Sequence, residues 1–288
     1  MLRAFRTWRR ERILNRSALD ELLWREATGR YSFTRSLSAD ERGRLRDLAV
    51  LFLHEKAITG AAGQMVSEDM RVCIAAQACM LILNLDLDWY RGWSEVIVYP
   101  DEFVADYEYV DEAGVAHHVR EPMSGESWLV GPVILSWADA AQADSGGGYN
   151  VVIHEFAHKL DMLNGSANGY PPLHRGMDRR TWSEAFSAAY DDLCARVDAG
   201  EDTIIDPYAS ESPGEFFAVL SEAFFELPDV VETEYPRVYA QLAQFYRQDP
   251  LARLDGLRRS SAPRVSTDGA AGADPAAIGG RPGPGRRR

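Results

Sequence analysis

The sequence predicts an α+β fold: a helical amino half, a small mixed or antiparallel sheet in the middle, and a helical carboxyl half. Three observations predict it. Apolar residues recur at helical spacing from about residue 39 to 85 and again from about 150 to 248. Between these stretches lie β-branched runs such as Glu95-Val96-Ile97-Val98-Tyr99-Pro100, closed by proline or turn residues. The chain of 288 residues is also long enough to bury a substantial core.

Residues 1–37 read as a basic helical arm. Arg3, Arg6, Arg9, Arg10, Arg12 and Arg16 alternate with Leu2, Phe5, Trp8, Leu14, Leu19, Leu22 and Leu23 at loosely helical spacing. We expect the arm to pack on the domain rather than to lie on a membrane. Ser38-Ala39-Asp40-Glu41 fits a capping box, so a helix runs from there to about Lys56. Ser67 caps a second helix to about Leu85; its apolar residues run nearly all round, so it is buried.

Strands follow at Glu95–Tyr99, Val104–Val110 and Val115–Arg120, the last two joined by the turn Asp111-Glu112-Ala113-Gly114. His117 and His118 are adjacent on a strand, face opposite sides, and so cannot hold one ion. The run Trp128–Trp137 is strand-like, but Pro132 cannot donate to a ladder, which suggests a sheet edge. Gly146-Gly147-Gly148 belongs to a connecting loop; without a following Gly-Lys-Ser/Thr it is no phosphate cradle. Further helices are expected at about 150–164, 181–199, 213–226 and 235–248. The 38–259 stretch is then one domain, and residues 260–288, rich in Ser, Pro, Gly, Ala and Arg, are too poor in apolar side chains to order themselves.

Charge and cysteine usage narrow the function. A net charge of −13 argues against direct nucleic-acid binding, which needs a basic surface. Three cysteines without a Cys-x-x-Cys pair imply no disulfide framework. No apolar run backs the arginines near Met1, and none reaches 18 residues, so neither a secretory signal nor a membrane span is expected. The expected location is cytoplasmic, with no membrane partner.

The chemistry centres on Val151–Asp161, which contains His154-Glu155-Phe156-Ala157-His158 on an apolar helix. Histidines four apart share one helix face, so both imidazoles reach one ion. Glu155 is rotated about 100° from His154 and can stand beside that ion as a general base. A catalytic zinc takes three protein ligands and leaves a position open. The third could be His174, sixteen residues past His158, or a glutamate on the 213–226 helix: Glu215, Glu222 or Glu226. Glu215 also completes a Ser-x-x-Glu capping box with Ser212, and locally capping is its simpler use. Asn150 and Asp161 share the metal-facing side and could orient an imidazole.

His154-Glu155-Phe156-Ala157-His158-Lys159-Leu160-Asp161, together with Tyr208-Ala209-Ser210-Glu211-Ser212-Pro213-Gly214-Glu215, resembles the Mlc titration factor A family. Ile74–Cys79 and Val98-Tyr99-Pro100 share the resemblance, which covers roughly residues 40 to 250. It implies a zincin-like metallopeptidase domain with a core similar to that of anthrax lethal factor. It further implies one zinc ion held by His154, His158 and Glu215, Glu155 as general base, and Tyr208 as transition-state stabiliser. Aminopeptidase-type hydrolysis of small peptide substrates is implied, as is binding of a transcriptional repressor of the Mlc type in sugar-uptake control.

Overall fold

The computed structural model describes residues 2–17, 19–110, 116–123, 125–127, 131–142 and 147–261. The expected turn at 111–114, the start of the Trp128 run, Gly146 and the tail from 262 onward lie outside the described residues. Three helices, α1 (Leu2–Leu14), α2 (Glu21–Thr28) and α3 (Ser32–Arg35), precede α4 (Ala39–Glu55) and α5 (Glu68–Leu81). Ser38 and Glu41 form the expected capping box of α4, and the Ser67 hydroxyl caps α5. From Val72 to Leu81 every side chain of α5 is buried, as its all-round apolar surface requires.

The sheet departs from one of the two expected forms. It has the order β1 (Ala57–Gly60), β2 (Glu95–Tyr99), β6 (Val133–Ser136), β5 (Gly125–Ser127). β1, β2 and β6 run parallel, and only the edge strand β5 is antiparallel to its neighbour. A purely antiparallel sheet is therefore excluded. The reason lies in the connections: α5 crosses over between β1 and β2, and a crossover of that length returns the chain in the same direction. β1 was not expected from sequence; of its four residues only Ile58 is buried, too little pattern to register. β3 (Phe103–Val110) and β4 (Ala116–Met123) form a separate antiparallel pair. Pro132 precedes β6, which is an interior strand; the edges are β1 and β5.

After the short helix α6 (Trp137–Ala140) comes α7 (Val151–Asp161), then α8 (Arg179–Asp198), α9 (Pro213–Glu226), α10 (Pro228–Glu234), α11 (Pro236–Tyr246) and α12 (Pro250–Ser261). A single helix expected at 235–248 is thus one of three short ones, each opening on a proline at its first position. α7 packs between α5 and α9 and lies beside β5 and β6. Phe156 of α7 meets Phe52, Tyr90 and Trp93 on one side. On the other, Phe216, Phe217, Phe224 and Phe225 of α9 are buried with Trp182 and Tyr246.

Lys56 and Lys159 are the chain's only lysines, and both are buried around Trp93. Their Nζ atoms stand 3.8 and 5.2 Å from its ring centroid. Lys56 donates to the carbonyls of Tyr90 and Trp93, and Lys159 to Gly131 O at 2.9 Å. Cys73, Cys79 and Cys194 are unpaired thiols, and no described helix is long and apolar enough to cross a membrane.

Candidate metal centre and active site

α7 begins where Asn150 Oδ1 accepts from Ile153 N, 3.0 Å away, a side-chain cap that fixes the phase of the helix. That phase turns His154 and His158 the same way, with their Nε2 atoms 3.1 Å apart. α9 starts at the Ser212 cap, whose hydroxyl accepts from Glu215 N at 3.2 Å. The carboxylate of Glu215 points away from the cap and reaches the two imidazoles: Oε2 is 3.0 Å from His154 Nε2 and 3.3 Å from His158 Nε2. Capping and contact with the histidines therefore do not compete; the serine uses the backbone of Glu215 and the imidazoles its side chain.

The three atoms form a near-equilateral triangle. Tetrahedral coordination with bonds of about 2.0–2.1 Å would separate neighbouring ligand atoms by roughly 3.3–3.4 Å. The donor set and its spacing thus fit a small divalent ion, and these residues form a group that could hold a metal. His174 is not part of it: its Nε2 lies 2.7 Å from Phe245 O and its ring packs on Trp89 and Phe245.

Behind the triangle stands Glu222, about two helical turns past Glu215 along α9 and 2 % exposed. Its Oε1 lies 2.7 Å from His154 Nδ1, and its Oε2 accepts the Asn150 N–H. This carboxylate holds the imidazole with Nε2 turned inward, an arrangement common behind metal-bound histidines. Asn150 touches that imidazole only through Glu222, and its Nδ2 donates to Glu226 Oε1 at 2.8 Å. Asp161 serves a different part of the site. Its Oδ2 accepts from both Asn168 N and Gly169 N at 2.7 Å, and the side chain is fully buried.

The charges agree with this wiring. Burial alone would raise the Glu215 carboxyl, but its bonds to His154 and His158 outweigh that and hold it well below the usual range. Burial would lower the His154 imidazole, yet Glu222 and Glu215 push it well above 6.5. The cluster is organised to hold positive charge between its carboxylates.

Glu155 is 4 % exposed and lies beside the edge strand, against Gly125. Tyr208 projects from a 3₁₀ turn, Pro207–Ser210, positioned by Asp206, whose Oδ1 accepts Tyr208 N at 2.9 Å. Its ring centroid is 6.2 Å from that of His154. A cavity of about 300 Å³ is lined by His154, Glu155 and Tyr208 together with the apolar Val151, Ile205 and Val219. Tyr149, Ile204 and Tyr208, all at least 40 % exposed, stand at this cavity. Sequence reading missed Gly125, because only the folded register carries it to Glu155; no local signal marks it.

Comparison with known proteins agrees with this geometry. The profile of the glucose-regulated metallo-peptidase M90 family matches residues 5–247, from within α1 to just past α11. The chain belongs to that family. Among its relatives, Mlc titration factor A of Enterobacter sp. (strain 638) is 39 % identical over 246 residues, covering 83 % of this chain and 91 % of the relative. Mlc titration factor A of Salmonella arizonae is 41 % identical over 224 residues, covering 76 % of this chain and 88 % of the relative. That of Salmonella typhi is 41 % identical over 224 residues, with 76 % and 83 % covered. As an M90 metallopeptidase-type protein the chain calls for a divalent metal, and the triangle of His154, His158 and Glu215 suits one.

Proposed function

We propose that this chain is a zinc-dependent peptidase of aminopeptidase type, with His154, His158 and Glu215 as ligands of one zinc ion. The observation that carries the reading is the meeting of those three side chains at coordination spacing beside a cavity that also holds Glu155 and Tyr208. When bound, zinc supplies Lewis acidity and lowers the pKa of water towards about 7. Glu155 accepts the proton of the attacking water and returns it to the leaving nitrogen. The Tyr208 phenol donates to the oxyanion that develops on the scissile carbonyl. Glu222 keeps His154 in the tautomer and orientation that ligation needs. The apolar cavity wall and the exposed Tyr149 and Ile204 beside it suit a peptide substrate.

Aminopeptidase specificity is supported by the family resemblance and by Asp206, an exposed carboxylate on the cavity wall that a free α-amine could approach. Unpaired cysteines accord with a cytoplasmic setting. The test is Glu155→Gln: hydrolysis of aminoacyl substrates should stop while zinc remains bound at one ion per chain. Undiminished turnover by that variant would overturn the reading.

A second reading is favoured by the relatives' name, which describes titration of Mlc. In it the chain sequesters a transcriptional repressor of the Mlc type and its zinc is structural; the acidic surface suits a basic DNA-binding partner. Both roles are compatible. If the Glu155→Gln protein still binds such a repressor with unchanged affinity, binding is separable from hydrolysis.

A further inference from the structure

The first helix presents an outward face that neither the metal centre nor the fold uses. α1 is held to the body by one side. Arg6 Nη1 and Arg10 Nη2 bond the two carboxylate oxygens of Asp88 at 2.8 and 2.7 Å, and Ile13 is buried in the core. These contacts fix the helix about its axis. The adjoining face, roughly 110° round the helix, carries Phe5, Trp8, Arg9 and Arg12, at relative positions 0, 3, 4 and 7, which helical geometry aligns in one stripe. Arg16 continues it in the turn after Leu14.

All five side chains are exposed, Phe5 at 61 % and Trp8 at 52 %. Their rings are 5.9 Å apart, and the Arg12 guanidinium sits 5.4 Å from the Trp8 ring centroid. No carboxylate pairs with Arg9, Arg12 or Arg16 among the described residues, although the chain as a whole carries thirteen excess negative charges. Two neighbouring aromatic rings turned to solvent between unpaired guanidinium groups form an exposed apolar patch with a cationic rim, the kind of surface that marks an interaction site.

We propose that this stripe docks the protein on an anionic lipid bilayer. The charge complementarity is direct: guanidinium groups bond lipid phosphates in a forked, two-point manner, and each contributes to attraction by a negatively charged leaflet. Tryptophan and phenylalanine rings standing between those arginines are suited to the headgroup level, where an apolar body and wet surroundings coexist. The excess negative charge of the chain as a whole is repelled by the same surface, which favours approach by the α1 face. α1 thus packs on the domain, as expected, and also offers a second face for a membrane.

The experiment is co-flotation of the full chain with vesicles, either pure phosphatidylcholine or phosphatidylcholine with 30 % phosphatidylglycerol. Binding is expected to the anionic vesicles alone and to be released at high salt. Arg9→Gln/Arg12→Gln/Arg16→Gln should lower the partition coefficient on the order of 100-fold, from three lost surface cations. Phe5→Ala/Trp8→Ala should lower it as well, with an unchanged circular-dichroism spectrum in each case, since every substituted residue is exposed. Equal partition into both vesicle types, or binding that survives both sets of substitutions, would overturn the proposal. So would a stripe that instead pairs two copies of the chain, seen as a concentration-dependent dimer that the same substitutions abolish while vesicles are ignored.

Discussion

Gly125 lies against the carboxylate of Glu155: a Cβ at the glycine would stand 2.4 Å from Oε1 and 2.7 Å from Cδ. Real Cβ atoms do not approach so closely, so any larger residue must push Glu155 aside or lift β5. Gly125→Ala is expected to cut peptide turnover by at least tenfold while zinc stoichiometry stays at one, because the three atoms nearest the added Cβ all belong to Glu155 and none to a metal ligand. Steady-state kinetics with metal analysis checks this; loss of zinc together with activity would place the damage at the ligands instead.

Asp161 holds the loop that supports the third corner of the triangle. Its carboxylate fixes the amides of Asn168 and Gly169. Gly169, at φ +74°, has no room for a Cβ, which would meet Pro213 O at 2.4 Å, and a Cβ on Gly214 would stand 3.1 Å from Ala167 O. The loop therefore butts against the first turn of α9, which carries Glu215. Asp161→Ala strands the buried amide of Gly169 and frees that of the exposed Asn168, with an expected loss of about 1–3 kcal/mol in denaturant unfolding. Because burial raises the Asp161 carboxyl, the uncharged Asp161→Asn, which keeps an acceptor, should be tolerated far better. Equal damage from both variants would refute the buttress.

Replacing Glu222 by Gln removes the charge behind His154 and weakens the hold on its Nδ1. Metal affinity should fall about 10–100-fold in chelator competition. His174→Ala, remote from the triangle, should leave that affinity unchanged; a drop there comparable to that of Glu215→Gln would mean a different third ligand.

Lys56 supplies a pH signature. Burial pushes its ammonium down from 10.5 to about 8. Below pH 8 both native and unfolded chains carry the charge, and the native state bears the cost of burying it. Between about 8 and 10.5 the unfolded chain binds the extra proton, so this group's contribution to stability rises with pH, by about 3 kcal/mol in all. Lys56→Met should abolish that rise. Unfolding curves of both proteins at pH 7.5 and 10, compared as a difference, measure it; parallel pH profiles would show that Lys56 titrates normally.

The parts legible in the sequence are those whose cause is local. Ser38, Ser67 and Ser212 announce helix starts because a cap acts within four residues. His154 and His158 announce themselves because helical geometry joins residues four apart. Glu222 was visible as a candidate, since seven residues place it on the same face as Glu215, but which imidazole atom it serves depends on how α9 meets α7. Strand direction, the β1 strand, Gly125 and the Asp161 loop were not legible for the same reason: each is decided by a partner distant in sequence. The helix expected at 235–248 is α11, whereas α10 and α12 on either side of it were not expected: α10 is only seven residues long, and α12 lies beyond the last stretch of clear helical apolar spacing.

The enclosure of Lys56 and Lys159 around Trp93 gives the molecule an unusual chemical face. A folded copy shows an acylating reagent arginine everywhere and lysine nowhere, and a lysine-specific endoprotease finds its two peptide bonds out of reach. Each of these amines becomes reactive only when the aromatic core around α7 opens. Acylation at Lys56 or Lys159 therefore records, one molecule at a time, how often the scaffold behind the metal helix comes apart.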